Sequence, residues 1–567
     1  MSFVGARDQV NADIEVMRSY YRRDENTVLD ELITRAELSQ DDLALVAERT
    51  RALVLGIRQA QSGKGGIDAL LNEFSLSTEE GIVLMCLAEA LLRVPDQETS
   101  DALIRDKLAL GDWSSHLGNS DSLFVNASAW GLLLAGKVVD YGSEQRRQQQ
   151  LGLLKRTVNR LGGPVVRASV RYAMKVMGTQ FVMGTDIDTA LNRAKVMEQK
   201  GYRYSYDMLG EGARTQRDAD GYFESYSNAI ESIGKAAAGR GPQTSPGISV
   251  KLSAIHPHYL VAQRQRVLQE LIPKLKALAL AARRYDIGFT VDAEEADRLE
   301  LSLEVIEAVF VDEELSGWQG FGLAVQAYQK RASFVIEWAK NLSQRADRKM
   351  MVRLVKGAYW DSEIKWTQEQ GLKDYPVFTR KPSTDVSYQA CAKKLLSYRD
   401  YLYPQFATHN AYTVATILTL DNDGTDAPRQ GYEFQRLHGM GEELYDQVLQ
   451  NEGVACRIYA PVGEHADLLA YLVRRLLENG ANSSFVNNII DESVPVESLL
   501  QDPVALVRSW DDKRNSGIPL PAELYRDSSL EAGTRENSMG LDLSDATLLS
   551  ELGKSMESIW QTMTATK

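Results

Sequence analysis

MMVRLVKGAYW, residues 350–360, decides how this chain is read. It is a short β-rich run with two cations, Arg353 and Lys356, at its far end, and a glycine just beyond. Seven runs of the same texture surround it. They are YRYSYDML (202–209), GISVKLSAI (247–255), IGFTVDAEEA (287–296), FGLAVQAY (321–328), PQFATHN (404–410), YEFQRLHGM (432–440) and VACRIYAPV (454–462). Helical patterns such as VLQELIPKLKALALAARRY (267–285) and ASFVIEWAKNLSQRA (332–346) lie between them. Strand–helix alternation of this length implies an α/β protein with a parallel sheet, and about eight units imply a closed (β/α)8 TIM barrel. An open doubly wound sheet is the competitor. Its glycine fingerprint is missing: after Gly320 and Gly322, Val325 stands where the third glycine belongs.

Outward from the barrel, the first 165 residues or so read as helix. ADIEVMRSYYRRDENTVLDELI (12–33) and LVAERTRALVLGIRQ (45–59) have apolar residues at three-and-four spacing, and Leu84, Leu87, Leu91 and Leu92 continue it. SGKGG (62–66) has the composition of a phosphate loop, but Arg58 occupies the place of its first glycine, so it reads as a connection. YGSEQRRQQQ (141–150) reads as a solvated helix or linker. The chain has 567 residues, 44% hydrophobic and 25% charged, an ordinary globular composition. A net charge of −14 argues against nucleic-acid partners, which need a basic face. The start of the chain has no signal-peptide core, and no apolar run is long enough to span a membrane. Cys86, Cys391 and Cys456 are scattered without a pairing pattern, which fits a reducing cytoplasm. His256 and His258 are separated by a proline, and no metal site is expected.

In a (β/α)8 barrel, chemistry gathers at the C-terminal ends of the strands. Here those ends carry Asp207 and Glu211, then Lys251, Asp292 and Glu294, Gln326, Arg353 and Lys356, His409, His438 and Tyr459. Each has an ordinary explanation. Lys251 could be a salt-bridge partner of Asp292, Glu294 and Glu295 could cap the next helix, and His409 could be a hydrogen-bonded core histidine. Their shared position is harder to explain that way, because a charge in an apolar strand costs several kcal/mol unless paired. Arg353 and Lys356 beside Gly357, Ala358, Tyr359 and Trp360 suit an electron-rich cofactor such as a flavin, and Arg380 and Lys381 could take a pyrophosphate. Further on, YLVRRLLENGANSSFV (471–486) places Arg474 and Arg475 side by side, with Glu478 close behind. Two adjacent guanidinium forks suit a carboxylate gripped at both oxygens. The plain alternative is one arginine capping a helix while the other pairs with Glu478.

At these residues the sequence resembles a known family. VRLVKGAYWDSEIK, SVKLSAIHP, TVDAEEADR, YEFQRLHGMGE and YLVRRLLENGANSSFV are similar to the motifs of the proline dehydrogenase barrel, in the order found in bacterial bifunctional proline utilization A enzymes. YYRRDENTVLDELI resembles the arm that precedes that barrel. The resemblance implies a distorted (β/α)8 barrel that binds FAD, oxidises L-proline to Δ1-pyrroline-5-carboxylate and passes electrons to a quinone. It implies a helical arm over 1–60, a helical domain over 61–165, a linker over 166–200, the barrel over 201–500, and a linker over 501–567 leading to an aldehyde dehydrogenase domain. Arg474, Arg475 and Lys251 would hold the proline carboxylate. Tyr459, Tyr359 and Leu437 would line the pocket, Asp292 would hydrogen-bond to Tyr459 or Lys251, and Glu211 would pair with Arg474 as a gate. Arg353 would approach the flavin N5 side. Gln326, Val355, Lys356, Gly357, Ala358, Thr408 and His409 would contact the ring or its tail. Trp360 would stack near the adenine, Thr379, Arg380 and Lys381 would meet phosphate or ribose, and Glu478 would hold a tail hydroxyl.

In two respects the chain departs from the larger members. No ribbon-helix-helix segment precedes the arm, so no repressor function is expected, and no catalytic-cysteine motif of an aldehyde dehydrogenase follows. A fragment of a bifunctional enzyme is the expected reading, cytoplasmic, with peripheral contact to the inner membrane face left open by the quinone. Two other classes stay on the table. A lysine Schiff-base aldolase would use Lys251 or Lys356 as nucleophile, with Asp292 shuttling protons. A non-catalytic scaffold would treat the charges as solvated faces.

Overall fold

The computed structural model describes residues 12–61, 99, 182–421, 430–463, 488–489, 493–525, 535 and 537–563. SGKGG, the leucines from 84 to 92, the 141–150 run, Arg474, Arg475 and Glu478 lie outside them. Eight parallel strands close into a barrel in sequence order: β1 (Arg203–Met208), β2 (Gly247–Val250), β3 (Phe289–Val291), β4 (Phe321–Gln326), β5 (Met350–Val355), β6 (Leu402–Ala407), β7 (Glu433–Leu437) and β8 (Cys456–Val462). β8 pairs with β1, Tyr459 opposite Ser205, so no strand edge remains open. The barrel inferred from sequence is therefore present, with each of the eight runs supplying one strand.

Period-two alternation sorts each strand. In β1, Tyr204 and Tyr206 are buried with rings stacked at 5.6 Å, while Ser205 reaches across to Ser249 of β2 at 3.1 Å. The outward residues pack on the helices. Phe321, at the start of β4, meets Phe289, Phe310 and Trp318 at centroid distances of 5.7, 5.6 and 6.3 Å. Truncating such a ring costs about 3–5 kcal/mol. The inward positions are unusual for this fold. Barrel interiors are mostly filled by branched aliphatics, but here they include Ser205, Asp207, Ser249, Arg353, Gln405, Glu433, Gln435, Arg457 and Tyr459.

The N-terminal helices lie against the outside of the barrel. Helix Glu25–Ala36 starts at Asp24, whose side chain accepts from Thr27 N–H. It buries Leu29, Leu32 and Ile33 among Phe378, Val386 and Ala390. Helix Gln40–Gln61 packs on helix Ala411–Leu420, with Val46, Val54 and Ile57 in the main core.

Two stretches expected as linkers contain ordered elements. Part of the expected linker 166–200 is ordered into the barrel: Ile187–Gln199 is a helix capped by Asp186, and Gly184 bridges to Val462 at the end of β8. Asp186 and Thr189 form an N-cap pair that the sequence reading passed over. Parts of 501–567 also pack on the protein. Pro503–Arg508 is a helix with Val504 and Val507 buried against the arm, and Asp542 pairs with Arg22 at 2.6 Å.

Candidate active site

The C-terminal ends of the strands bring four ionisable side chains together around Asp292. Lys251 follows β2, and its Nζ donates to both oxygens of Asp207, at 2.8 and 2.9 Å. Asp292, just past β3, lies 3.4 Å from the same nitrogen. Its Oδ2 accepts from Tyr459 Oη at 2.7 Å, and its Oδ1 from Arg353 Nη1 at 2.7 Å. Arg353 is held from below as well: Nε donates to Gln435 at 2.7 Å, and Nη2 to Ser249 at 2.9 Å and Ser205 at 3.2 Å. The guanidinium sits 5.0 Å from the centre of the Tyr459 ring. Burial works against the Lys251 charge, but Asp207, Tyr459 and Asp292 outweigh it and hold the ammonium well above the ordinary lysine value. Burial, with Asp207 and Asp292 adding to it, lifts the Tyr459 phenol, so it stays a donor. The result is a mostly buried patch with two fixed cations, Lys251 and Arg353, and one fixed hydroxyl.

The neighbouring rim is built from turns. Gly357 has φ +134°, and a Cβ there would come within 2.5 Å of the Tyr328 ring. Only glycine fits this bend. It lets the chain turn from β5 into helix Trp360–Glu369, leaving Val355, Lys356 and Tyr359 half-buried and Ala358 exposed. Lys356 pairs with Asp385. Trp360 donates its indole N–H to Phe378 O at 2.8 Å. Gln326 donates to the Glu294 carbonyl at 2.8 Å. Thr408 is buried, and His409 accepts from Leu437 N–H at 3.1 Å through Nε2, so its proton sits on Nδ1.

Not every candidate is free for a ligand. Thr379 donates its N–H to Glu25 at 3.0 Å, and its hydroxyl accepts from Asn515 N–H at 2.8 Å. Arg380 donates to Arg514 O at 3.0 and 2.8 Å and stacks on Trp510 at 4.4 Å. Lys381 opens the helix Lys381–Ser397. Glu211 lies in the loop after β1, half-buried. Its expected partner Arg474, with Arg475 and Glu478, is outside the described residues. Asp207 stands among the strand-end residues picked out from the sequence, whereas Ser205, Ser249 and Gln435 do not. Period-two counting from Lys251 and Arg353 along their strands would have found Ser249 and drawn attention to its neighbours.

Family comparison places the barrel. Residues 190–488 match the family model described as proline dehydrogenase. The chain belongs to the proline dehydrogenase family. Residues 15–58 match the proline utilization A proline dehydrogenase N-terminal domain, and 66–181 a model described as the DNA-binding domain of proline dehydrogenase. The bifunctional protein PutA of Klebsiella aerogenes is 51% identical over 94% of this chain and 41% of its own length. PutA of Escherichia coli (strain K12) is also 51% identical, over 96% of this chain and 42% of its own length. Proline dehydrogenase 1 of Bacillus subtilis (strain 168) is 28% identical over 56% of this chain and 91% of itself. A crystal structure of a Bradyrhizobium japonicum proline utilization A (PutA) mutant matches at TM-score 0.72 and 49% identity, covering 94% of this chain and 52% of that one. The chain thus spans less than half the length of the curated bifunctional relatives it matches.

The match over 66–181 corrects the expectation that nucleic acid has no part here. Net charge was a poor guide because it averages over the chain. From Gln145 to Thr185 there are eight arginines and lysines and no aspartate or glutamate. A local excess of this kind sets local potential whatever the total. Among the described residues, no helix is long and apolar enough to cross a membrane.

Proposed function

We propose that this chain oxidises L-proline to Δ1-pyrroline-5-carboxylate with FAD as its cofactor and a quinone as electron acceptor. One observation carries the reading: in a proline dehydrogenase barrel, Lys251, Asp292, Arg353 and Tyr459 converge at the catalytic end of the strands. Lys251, held as an ammonium, is suited to the proline carboxylate, with Arg474 and Arg475 completing the grip. Tyr459, fixed through Asp292, packs its ring against the pyrrolidine, with Tyr359 and Leu437 beside it. Glu211 closes over the bound substrate by pairing with Arg474.

The rim fits a flavin dinucleotide in one respect that can be checked. The positive-φ turn at Gly357 brings backbone, rather than a side chain, to the surface beside Lys356 and Ala358, as close approach to a flat ring requires. Arg353, Gln326, Val355, Thr408 and His409 would border the ring. Trp360, Thr379, Arg380, Lys381 and Glu478 would face the tail, although Thr379 and Arg380 would first have to release Glu25, Asn515 and Arg514. FAD, when bound, supplies a two-electron acceptor for the hydride from the ring carbon next to nitrogen. The residues' task is to hold that carbon in line and keep the amine neutral. Cations beside the amine lower its pKa, which favours the form that can lose hydride. The aldolase reading suffers here: a Schiff-base lysine must shed its proton, whereas Lys251 is held protonated and Lys356 is paired with Asp385.

The test is stoichiometry. FAD-loaded protein given L-proline and a soluble quinone should yield one Δ1-pyrroline-5-carboxylate per quinone reduced. Borohydride trapping of a lysine adduct, with no quinone reduction, would replace this reading with the aldolase.

A further inference from the structure

The loop after β1 carries Glu211 between two glycines in left-handed backbone, Gly210 at φ +147° and Gly212 at φ +61°. A Cβ on Gly210 would lie 2.2 Å from the Tyr222 ring, while Gly212 has nothing within 4 Å. The first end is therefore fixed by packing and the second by hydrogen bonds. Gly212 N–H donates to Ser253 Oγ at 3.0 Å, and Ala213 N–H donates to Ser253 O at 2.9 Å. Ser253 is in turn gripped by Glu294, just past β3. Its N–H donates to Glu294 Oε1 at 3.0 Å and its hydroxyl donates to Oε2.

A serine hydroxyl has one hydrogen and two lone pairs. With that hydrogen committed to Glu294, a lone pair is left for Gly212. Burial pushes the Glu294 carboxyl up to about 7, and in its ionised form it sets which way the hydroxyl points. Ser253 is 3% exposed and the Glu294 side chain 6%, so water does not substitute readily for either partner. Glu294 is steadied by Gln326 at its carbonyl and by Arg298, 3.8 Å from Oε2.

We propose that Glu294 and Ser253 are positioning residues that hold the Glu211 loop at the mouth of the site, so that Glu211 meets the cations gripping the substrate carboxylate. The proposal rests on the role given to Glu211 above. Glu294→Gln keeps the volume but offers an NH2 that donates to Ser253 Oγ, turning the hydroxyl hydrogen towards Gly212 N–H. In the full FAD-loaded chain, amide exchange at Gly212 and Ala213 should then quicken about tenfold, the loss of roughly one hydrogen bond. KM for proline should rise about tenfold with kcat changed less than about twofold. Adding Glu294→Gln to Glu211→Gln should raise KM no further, because both act through one group. Ser253→Ala, which removes the hydroxyl that accepts from Gly212 N–H and leaves the backbone carbonyl that accepts from Ala213 N–H, should speed exchange at Gly212 should Glu294→Gln fail to fold.

Unchanged exchange in both variants would overturn the proposal, as would additive effects on KM. If Glu211→Gln leaves KM untouched while exchange still quickens, the loop is held as described but Glu211 is not the gate, and positioning for substrate is overturned with it.

Discussion

Two charged layers lie inside one barrel, and they behave differently. The lower layer is at the N-terminal ends of the strands. Glu433 accepts from Arg457 at 2.6 and 3.1 Å, from Gln405 at 2.8 Å and from Gln435 at 3.0 Å, with Arg203 at 3.4 Å. Arg457 also donates to the carbonyls of Tyr204, Ser245 and Gln243. Glu433 is wholly buried, and although burial alone would raise its carboxyl, Arg457 and Arg203 hold it below the usual range. The upper layer, Lys251 with Asp207, Asp292 and Tyr459, is tied mainly by side chain to side chain, and its Asp292 and Lys251 keep some exposure. A pair closed by backbone carbonyls has no capacity left for a ligand. A pair closed by side chains can trade one partner for a substrate carboxylate. The difference separates structure from function where sequence shows only charged residues in strands.

The largest expected effect breaks the lower layer. Arg457→Met leaves Glu433 buried without its main partner and should cost about 3–5 kcal/mol of folding stability, read from the urea midpoint at constant slope. Flavin bleaching by proline should persist in whatever fraction folds. A variant that folds normally but no longer reacts with proline would reverse the roles of the two layers.

The next effect breaks the upper layer. Lys251→Met should weaken proline binding about 100-fold, near 2.7 kcal/mol, with the flavin spectrum of the unreacted protein unchanged. Its stability loss should be smaller than that of Arg457→Met, because Asp207 can take up a proton and Asp292 keeps Arg353. Tyr459→Phe removes one hydroxyl from Asp292 and should cost about 1 kcal/mol, or about fivefold in kcat/KM.

The smallest effect sharpens the comparison by pH. Glu433 has a depressed carboxyl, so its contribution is present above the unfolded carboxylate value and is lost as pH falls through the folded one. Lys251 has a raised ammonium, so its contribution is full below the unfolded lysine value and is lost as pH rises through the folded one. Glu433→Gln should therefore flatten the acid limb of the stability profile and Lys251→Met the alkaline limb. Gln435 bridges the layers, accepting from Arg353 and donating to Glu433, and both variants flattening the same limb would show that this bridge couples their titration.

Much of this was legible in the sequence. The eight β-rich runs gave eight strands because each is a short apolar stretch bounded by polar or glycine residues, the form a buried parallel strand takes. Lys251, Asp292, Arg353 and Tyr459 could be picked out because a charge or hydroxyl at a strand end is costly without a partner. What stayed hidden depends on facing direction or on distant chain. Ser205 and Ser249 matter only because their strands turn them towards Arg353. Arg380 lies 134 residues from the carbonyl it binds in Arg514, a distance over which no local pattern speaks. Arg457 and Glu433 were unremarkable as letters, and only the closed barrel brings them together.

The measurement that tests the account most directly is the visible absorption spectrum of the purified chain, supplied with FAD, before and after L-proline in the absence of oxygen. The account predicts flavin bands that bleach with proline in the native protein, bleach only at about 100-fold higher proline in Lys251→Met, and bleach normally in folded Arg457→Met. A protein that stays colourless with FAD, or whose flavin ignores proline, would contradict it.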